Sequence, residues 1–214
     1  ELKAALGYKN EIERGFPRPG ESKELYRHAE LILSDLLEEA KYLVNFGVCY
    51  AYIDSILASK YPDAQIIGID RSKFTKLLNE SDFSSKKNME FVADDVMAFL
   101  ANKEFKNGVF FHTRTCTLLP KSFIELLYKE VAKAGFSQIV CIEQVGISGQ
   151  TGMPYQFSDN DQPSVAFRWG MYIHNYPGLL AKAGYRVTRA ELLKTDHRHS
   201  DYRLVSITAS RDSS

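Results

Sequence analysis

From residue 42 to residue 144 the sequence alternates between two periods. Short apolar runs with strand character (42–46, 64–70, 89–93, 107–112 and 137–144) are separated by stretches with apolar residues at helical spacing (50–60, about 72–79, 96–101 and 122–134). A helix at 22–40 precedes them, with Leu25, Ala29, Ile32, Leu33 and Leu36 at helical spacing. The fifth run, SQIVCIEQ, is almost continuously apolar, as a strand covered on both faces requires. After a polar interval a helix resumes at about 171–183. Two strands, 185–193 and 202–210, then follow with no helix between them. Parallel neighbours need a crossover connection, so this last pair runs antiparallel. The expected architecture is α/β: a doubly wound, seven-stranded, mostly parallel sheet with a C-terminal antiparallel hairpin and helices on both faces.

At 214 residues the chain suits one such domain and is short for two. Lys plus Arg and Asp plus Glu both number 27, so the formal net charge is zero. No basic excess supports binding along a nucleic-acid backbone. Cys49, Cys116 and Cys141 lie far apart and lack the spacing of a zinc site, so reduced thiols and no metal are expected. No run approaches 18 apolar residues and the opening residues do not follow the signal-peptide pattern, so a cytoplasmic protein without a membrane partner is expected. Residues 1–21 are polar and carry Gly7, Gly15, Pro17, Pro19 and Gly20, which reads as an N-terminal arm or loop, with the domain proper at 22–214. Residues 145–165, rich in Gly, Ser, Gln, Asp and Pro, read as a substrate loop or lid. The stretch DHRHSDYR, residues 196–203, reads as the solvated tip of the final hairpin rather than a metal cluster.

Three stretches, in order, occupy strand ends where ligands of open α/β sheets bind. NFGVCYA (residues 45–51) follows the first strand and contains one glycine, Gly47, which permits a tight turn and close approach to the backbone. YPDAQIIGIDRS (61–72) ends its strand on Asp70. MEFVADDVMAFL (89–100) ends its strand on Asp94 and Asp95, one of which is placed to cap the next helix. Together with the terminal hairpin, these stretches resemble the class I S-adenosylmethionine-dependent methyltransferases over residues 22–210. The resemblance implies S-adenosylmethionine as cofactor. It implies that Asp70 accepts from both ribose hydroxyls, as a carboxylate with two acceptor oxygens does well. It places Asp95, with its neighbour Asp94, and Val96 against the adenine, and Asn45, Gly47 and Cys49 at the methionine end. The departures are specific. Asn45 stands where the family has an acid, and Cys49 and Ala51 stand where its later glycines are expected. Both are small, and this cofactor carries no phosphate to cradle.

The implied reaction is methyl transfer to a small-molecule acceptor, with a hydroxyl oxygen the expected nucleophile. A hydroxyl needs a base; the candidates are His112, after the fourth strand, Glu143, at the end of the fifth, and His174. Arg114, Arg168, Trp169, Tyr172 and Tyr176 are the candidate acceptor-binding residues, the last four in an aromatic and polar stretch after the long loop. A homodimer is left open. The alternative is a methyltransferase-like binding or scaffold protein without turnover, which the single-glycine loop permits. An RNA- or protein-modifying enzyme fits the neutral charge less well. A dinucleotide oxidoreductase lacks its glycine-rich turn after the first strand.

Overall fold

In the computed structural model, residues 2–13, 21–146, 164–166, 170–193 and 202–211 are described. The strands are β1 (Tyr42–Phe46), β2 (Gln65–Asp70), β3 (Met89–Ala93), β4 (Gly108–Thr113), β5 (Gln138–Gly146), β6 (Ser164–Ala166), β7 (Tyr172–His174), β8 (Arg186–Leu192) and β9 (Tyr202–Ser210). The helices are α1 (Leu2–Glu13), α2 (Glu21–Leu37), α3 (Tyr52–Lys60), α4 (Lys73–Asp82), α5 (Val96–Ala101), α6 (Lys121–Lys133) and α7 (Tyr176–Lys182). The main sheet has seven strands in the order β3-β2-β1-β4-β5-β9-β8. β1 to β5 pair in parallel, while β9 runs antiparallel to both β5 and β8. This is the expected architecture.

Period-two alternation in the strands feeds two cores. Val44, Phe46, Ile67, Ile69, Phe110, Ile139 and Cys141 face α5, α6 and α7. Leu43, Ile66, Val109, Phe111, Val140 and Ile142 face α2 and α3. Every residue of β4 but the last is buried, because the strand is central and covered on both sides. The edge strand β8 is mostly exposed and carries Arg186, Arg189 and Glu191, charges that discourage edge-to-edge pairing. β1 connects through α3 on one face and β4 through α6 on the other. The order therefore reverses between β1 and β4, and a crevice opens at their carboxyl ends.

Two expectations are corrected. Residues 2–13, read as an arm or loop, form α1. It is tied to α4 by a Lys9 ammonium 2.7 Å from Asp82 Oδ2. The helix expected from about 171 begins only at Tyr176, and Tyr172–His174 is a strand paired with Ser164–Ala166. The reason lies in residues 175–177. The Asn175 side chain accepts from Gly178 N–H at 3.2 Å as N-cap, and a proline stands in the first turn. Most of the 145–165 segment, namely 147–163, and most of the 196–203 hairpin tip, namely 196–201, lie outside the described residues. Among the described residues no helix is long and apolar enough to cross a membrane.

Candidate functional site

A cavity of about 420 Å³ lies at the crevice between β1 and β4, within the range of small-molecule sites. The loop after β1 forms its floor. Gly47 has φ +74°, and Thr115, from the turn after β4, packs where a side chain would be: a Cβ at Gly47 would stand 2.2 Å from Thr115 Oγ1. Gly47 and Val48 both donate their N–H to Ile69 O, at 2.8 and 3.2 Å. Cys49 follows at φ +47°, a left-handed conformation that costs a non-glycine residue about 1–2 kcal/mol. Asn79 of α4, fully buried, compensates by clamping this stretch: its Oδ1 accepts from Ala51 N–H at 3.0 Å and its Nδ2 donates to Cys49 O at 3.2 Å. Tyr50 turns toward Asp82 and donates to Oδ2 at 3.0 Å, while its ring still lies on the cavity wall. A buried amide from α4 thus holds the loop shape that extra glycines would otherwise permit.

Asp70 and Asp95 stand on adjoining strand ends, and both line the cavity. Asp70 Oδ1 accepts from Ser72 N–H at 2.9 Å, and Oδ2 from Cys49 N–H at 3.4 Å. Each oxygen keeps a further lone pair. Asp95 is the N-cap of α5, accepting from Met97 N–H at 2.8 Å, and Val96 beside it also lines the cavity. Asp94 does not; its Oδ1 accepts from Asp95 N–H at 2.8 Å. Asn45, at the end of β1, lines the cavity together with Asp54 of α3. Asn45 Nδ2 donates to both carboxylate oxygens of Asp54, at 2.9 and 3.1 Å. Burial pushes the Asp54 carboxyl up to about 6, against lowering by the Asn45 amide and by its own backbone N–H.

That shift has a sign. The folded state holds the Asp54 proton more tightly than the unfolded chain, so stability falls as pH rises from about 4 to about 6, by about 3 kcal/mol. Asp54→Asn removes the ionisation. The variant is expected to be more stable than the wild type by about 2 kcal/mol at pH 7 and by almost nothing at pH 4. Thermal melts at both pH values measure the difference. A variant less stable at pH 7 would mean that the folded protein stabilises the charge.

The three candidate bases occupy a different place. None lines the cavity, and each is nearly or fully buried. Glu143 Oε1 lies 2.6 Å from His112 Nδ1 and accepts from Thr115 and Cys116 N–H at 3.1 and 3.0 Å. Its Oε2 accepts from Thr117 N–H at 3.4 Å. On the other side of the ring, His112 Nε2 lies 3.0 Å from the Tyr128 hydroxyl, so both ring nitrogens have partners. His174 Nε2 lies 3.1 Å from both Cys116 O and Leu119 O, and burial pushes its pKa down, as for a neutral ring. These side chains hold the turn at 114–119 from beneath. His112, Cys116 and Glu143 lie close enough to ligate a metal together, but the carboxylate lone pairs and His112 Nδ1 are already engaged in this network.

Of the candidate acceptor residues, Arg114 lines the cavity. Tyr172 does not; its ring stacks on His174 at 5.8 Å between centroids. Tyr176 is fully buried between His174 and His112. Arg168 and Trp169 lie outside the described residues. Tyr26, Leu118, Leu119 and Phe123 add an aromatic and aliphatic wall that sequence patterns assigned to no site. Asp54, Asn79 and Thr115 were also missed. Asp54 had a faint signal, a carboxylate one turn into the helix that follows the binding loop; Asn79 and Thr115 had none, since their partners are 28 to 69 residues away.

No family profile matches the sequence, and no curated protein matches it. Solved structures do. The cyclase SpnF superposes with a TM-score of 0.63 at 15% identity, over 87% of this chain and 82% of that one. The N-methyltransferase NodS from Bradyrhizobium japonicum WM9 gives 0.61 at 12% identity, over 87% and 96%. Magnesium protoporphyrin IX methyltransferase from Synechocystis PCC 6803, solved with S-adenosylhomocysteine bound, gives 0.58 at 12% identity, over 89% and 82%. Agreement of this extent at such low identity, with the strand order and terminal antiparallel pair already described, establishes the architecture: the chain has the class I S-adenosylmethionine-dependent methyltransferase fold.

Proposed function

We propose that the cavity binds S-adenosylmethionine and that the protein transfers its methyl group to a small-molecule acceptor. The observation that carries this reading is Asp70. It ends β2 on the cavity wall, with a lone pair free on each oxygen for the two hydroxyls of a ribose. Asp95 and Val96 on the next strand end suit the adenine, and the Gly47 loop suits the aliphatic end of the molecule. The sulfonium methyl is already activated, so the protein's task is to align donor and acceptor in line and keep water out. The apolar wall of Tyr26, Leu118, Leu119 and Phe123 serves that task.

The resemblance suggested a hydroxyl acceptor, but the bases assigned to it are buried in the turn-holding network. An amine, or another nucleophile that needs no base, fits the described lining better. A non-catalytic binding protein on this fold is the second reading, favoured by the placement of those same residues.

Calorimetry with S-adenosylmethionine and S-adenosylhomocysteine tests the proposal. Micromolar binding is expected, weakened about 100-fold or more by Asp70→Ala, since two hydrogen bonds to a charged acceptor are lost at about 1.5–3 kcal/mol each. A folded wild type that binds neither compound overturns it. Binding without transfer of a labelled methyl to any amine or alcohol in a broad panel selects the second reading.

A further inference from the structure

Behind the cavity wall, α4 holds three consecutive residues of the loop after β1. Asn79 accepts from Ala51 N–H and donates to Cys49 O, and one turn later Asp82 accepts from the hydroxyl of Tyr50, between them, at 3.0 Å. The Tyr50 ring also rests on Phe83, with centroids 5.3 Å apart. Tyr50 lines the cavity and Asp82 does not, so the hydroxyl is anchored behind the wall. Burial, and then the Asp82 carboxylate, push the Tyr50 phenol well up, which keeps it a neutral donor.

Asp82 is held from its other side by α1. Lys9 donates to both carboxylate oxygens, at 2.9 and 2.7 Å, with the two side chains 24% and 19% exposed. Among the described residues, none of α1 lines the cavity. An ion pair that served only to fasten α1 to α4 would be complete without a phenol from the cavity loop. Here one carboxylate receives both partners, so neither can move without changing what the other holds. We infer that Asp82 is a positioning residue that couples α1 to the cavity. Lys9 fixes the carboxylate, the carboxylate fixes the Tyr50 side chain, and Tyr50 forms part of the wall that meets the ligand. α1 thereby contributes to binding without touching the ligand. The inference rests on the proposed S-adenosylmethionine site, which supplies the probe. Coupling of this kind is reciprocal, so a ligand that settles against Tyr50 also tightens α1 on α4.

Two measurements on the full chain test it, both with S-adenosylhomocysteine. The first follows hydrogen exchange at the amides of residues 2–13, with and without saturating ligand. The ligand is expected to slow exchange there about fivefold in the wild type. It is expected to leave exchange unchanged in Tyr50→Phe, which keeps the ring and lacks the donor. The second is calorimetry on the wild type, Lys9→Met, Tyr50→Phe, the double variant and Lys9→Arg. Lys9→Met and Tyr50→Phe are each expected to weaken binding about fivefold, as for loss of one partly buried hydrogen bond. The double variant is also expected to lose about fivefold instead of about 25-fold, because both substitutions break one chain. Lys9→Arg keeps the charge and is expected to stay within about twofold of the wild type. Additive losses, a Lys9→Met variant that binds as the wild type does, or exchange in α1 that ignores the ligand each overturn the inference and leave the cofactor reading standing. Asp82 then only fastens a helix. The exchange comparison on the wild type needs no variant, so it decides the matter even where a substitution loosens α1. A folded wild type that does not bind S-adenosylhomocysteine overturns the cofactor reading and this inference with it.

Discussion

Glu143→Ala is expected to lose about 3–5 kcal/mol of folding stability, because it leaves several donors of one buried network unpaired at once. The side chain is fully buried and accepts from three consecutive backbone N–H groups, Thr115, Cys116 and Thr117, as well as meeting His112. Alanine leaves those donors without partners where water does not reach, and each such orphan costs about 1–3 kcal/mol. Against a typical total of about 5–15 kcal/mol, the loss leaves the protein marginal. Glu143→Gln keeps one acceptor oxygen and is expected to cost about half as much. Urea denaturation gives both numbers. An alanine variant within 1 kcal/mol of the wild type would show that the turn holds itself. The consequence reaches the site, because this turn carries Arg114 and Thr115 to the cavity.

Gly47→Ala is expected to cost about 2–4 kcal/mol of stability and to weaken S-adenosylhomocysteine binding at least tenfold. Two effects add. A left-handed alanine is strained by about 1–2 kcal/mol, and its Cβ would sit 2.2 Å from Thr115 Oγ1 and 2.9 Å from Thr115 Cβ. The Thr115 backbone must therefore shift, and the contact of its hydroxyl with Phe46 O, 3.3 Å, is lost. The loop cannot yield instead, since Gly47 and Val48 N–H are both held by Ile69 O. In a Thr115→Ala background the closest clashing atoms are gone, and the same substitution is expected to cost at least 1 kcal/mol less. Additive costs in this double-mutant cycle would rule out the Thr115 contact as the reason for the glycine.

The legible part of this protein was its local part. β1, β3, α5 and β9 lie where the apolar periodicity places them, because a strand or helix written into five to nine residues depends on side chains close in sequence. The terminal antiparallel pair was legible for a topological reason, since no crossover fits between its strands. α1 was not: its glycine and polar residues obscured the pattern, and its Lys9–Asp82 ion pair joins residues 73 positions apart. The start of α7 was legible in principle, since Asn175 as N-cap and Pro177 in the first turn mark it, but residues 171–175 were read into the helix.

At the site the division is sharper. Strand-end position alone brought Asn45, Gly47, Cys49, Asp70, Asp95, Val96 and Arg114 to one cavity, because a parallel sheet gathers the carboxyl ends of its strands at one edge. It brought His112 and Glu143 to the same edge, but not into the cavity. Period two tells only which face a residue shares, and whether that face meets solvent or a packed turn depends on what covers it. Here α6 and β7 cover it, so the imidazole and carboxylate became a buried brace. The sequence by itself determined the sheet, its order of parallel units and the row of residues along its ligand edge, all products of local periodicity and chain connectivity. Only the tertiary structure decided which of those residues face the cavity and that Asn79 supports a loop poor in glycine. It also decided that Asn45 of β1 packs against a buried acid on α3, Asp54, since burial and long-range hydrogen bonds exist only once distant segments are packed together.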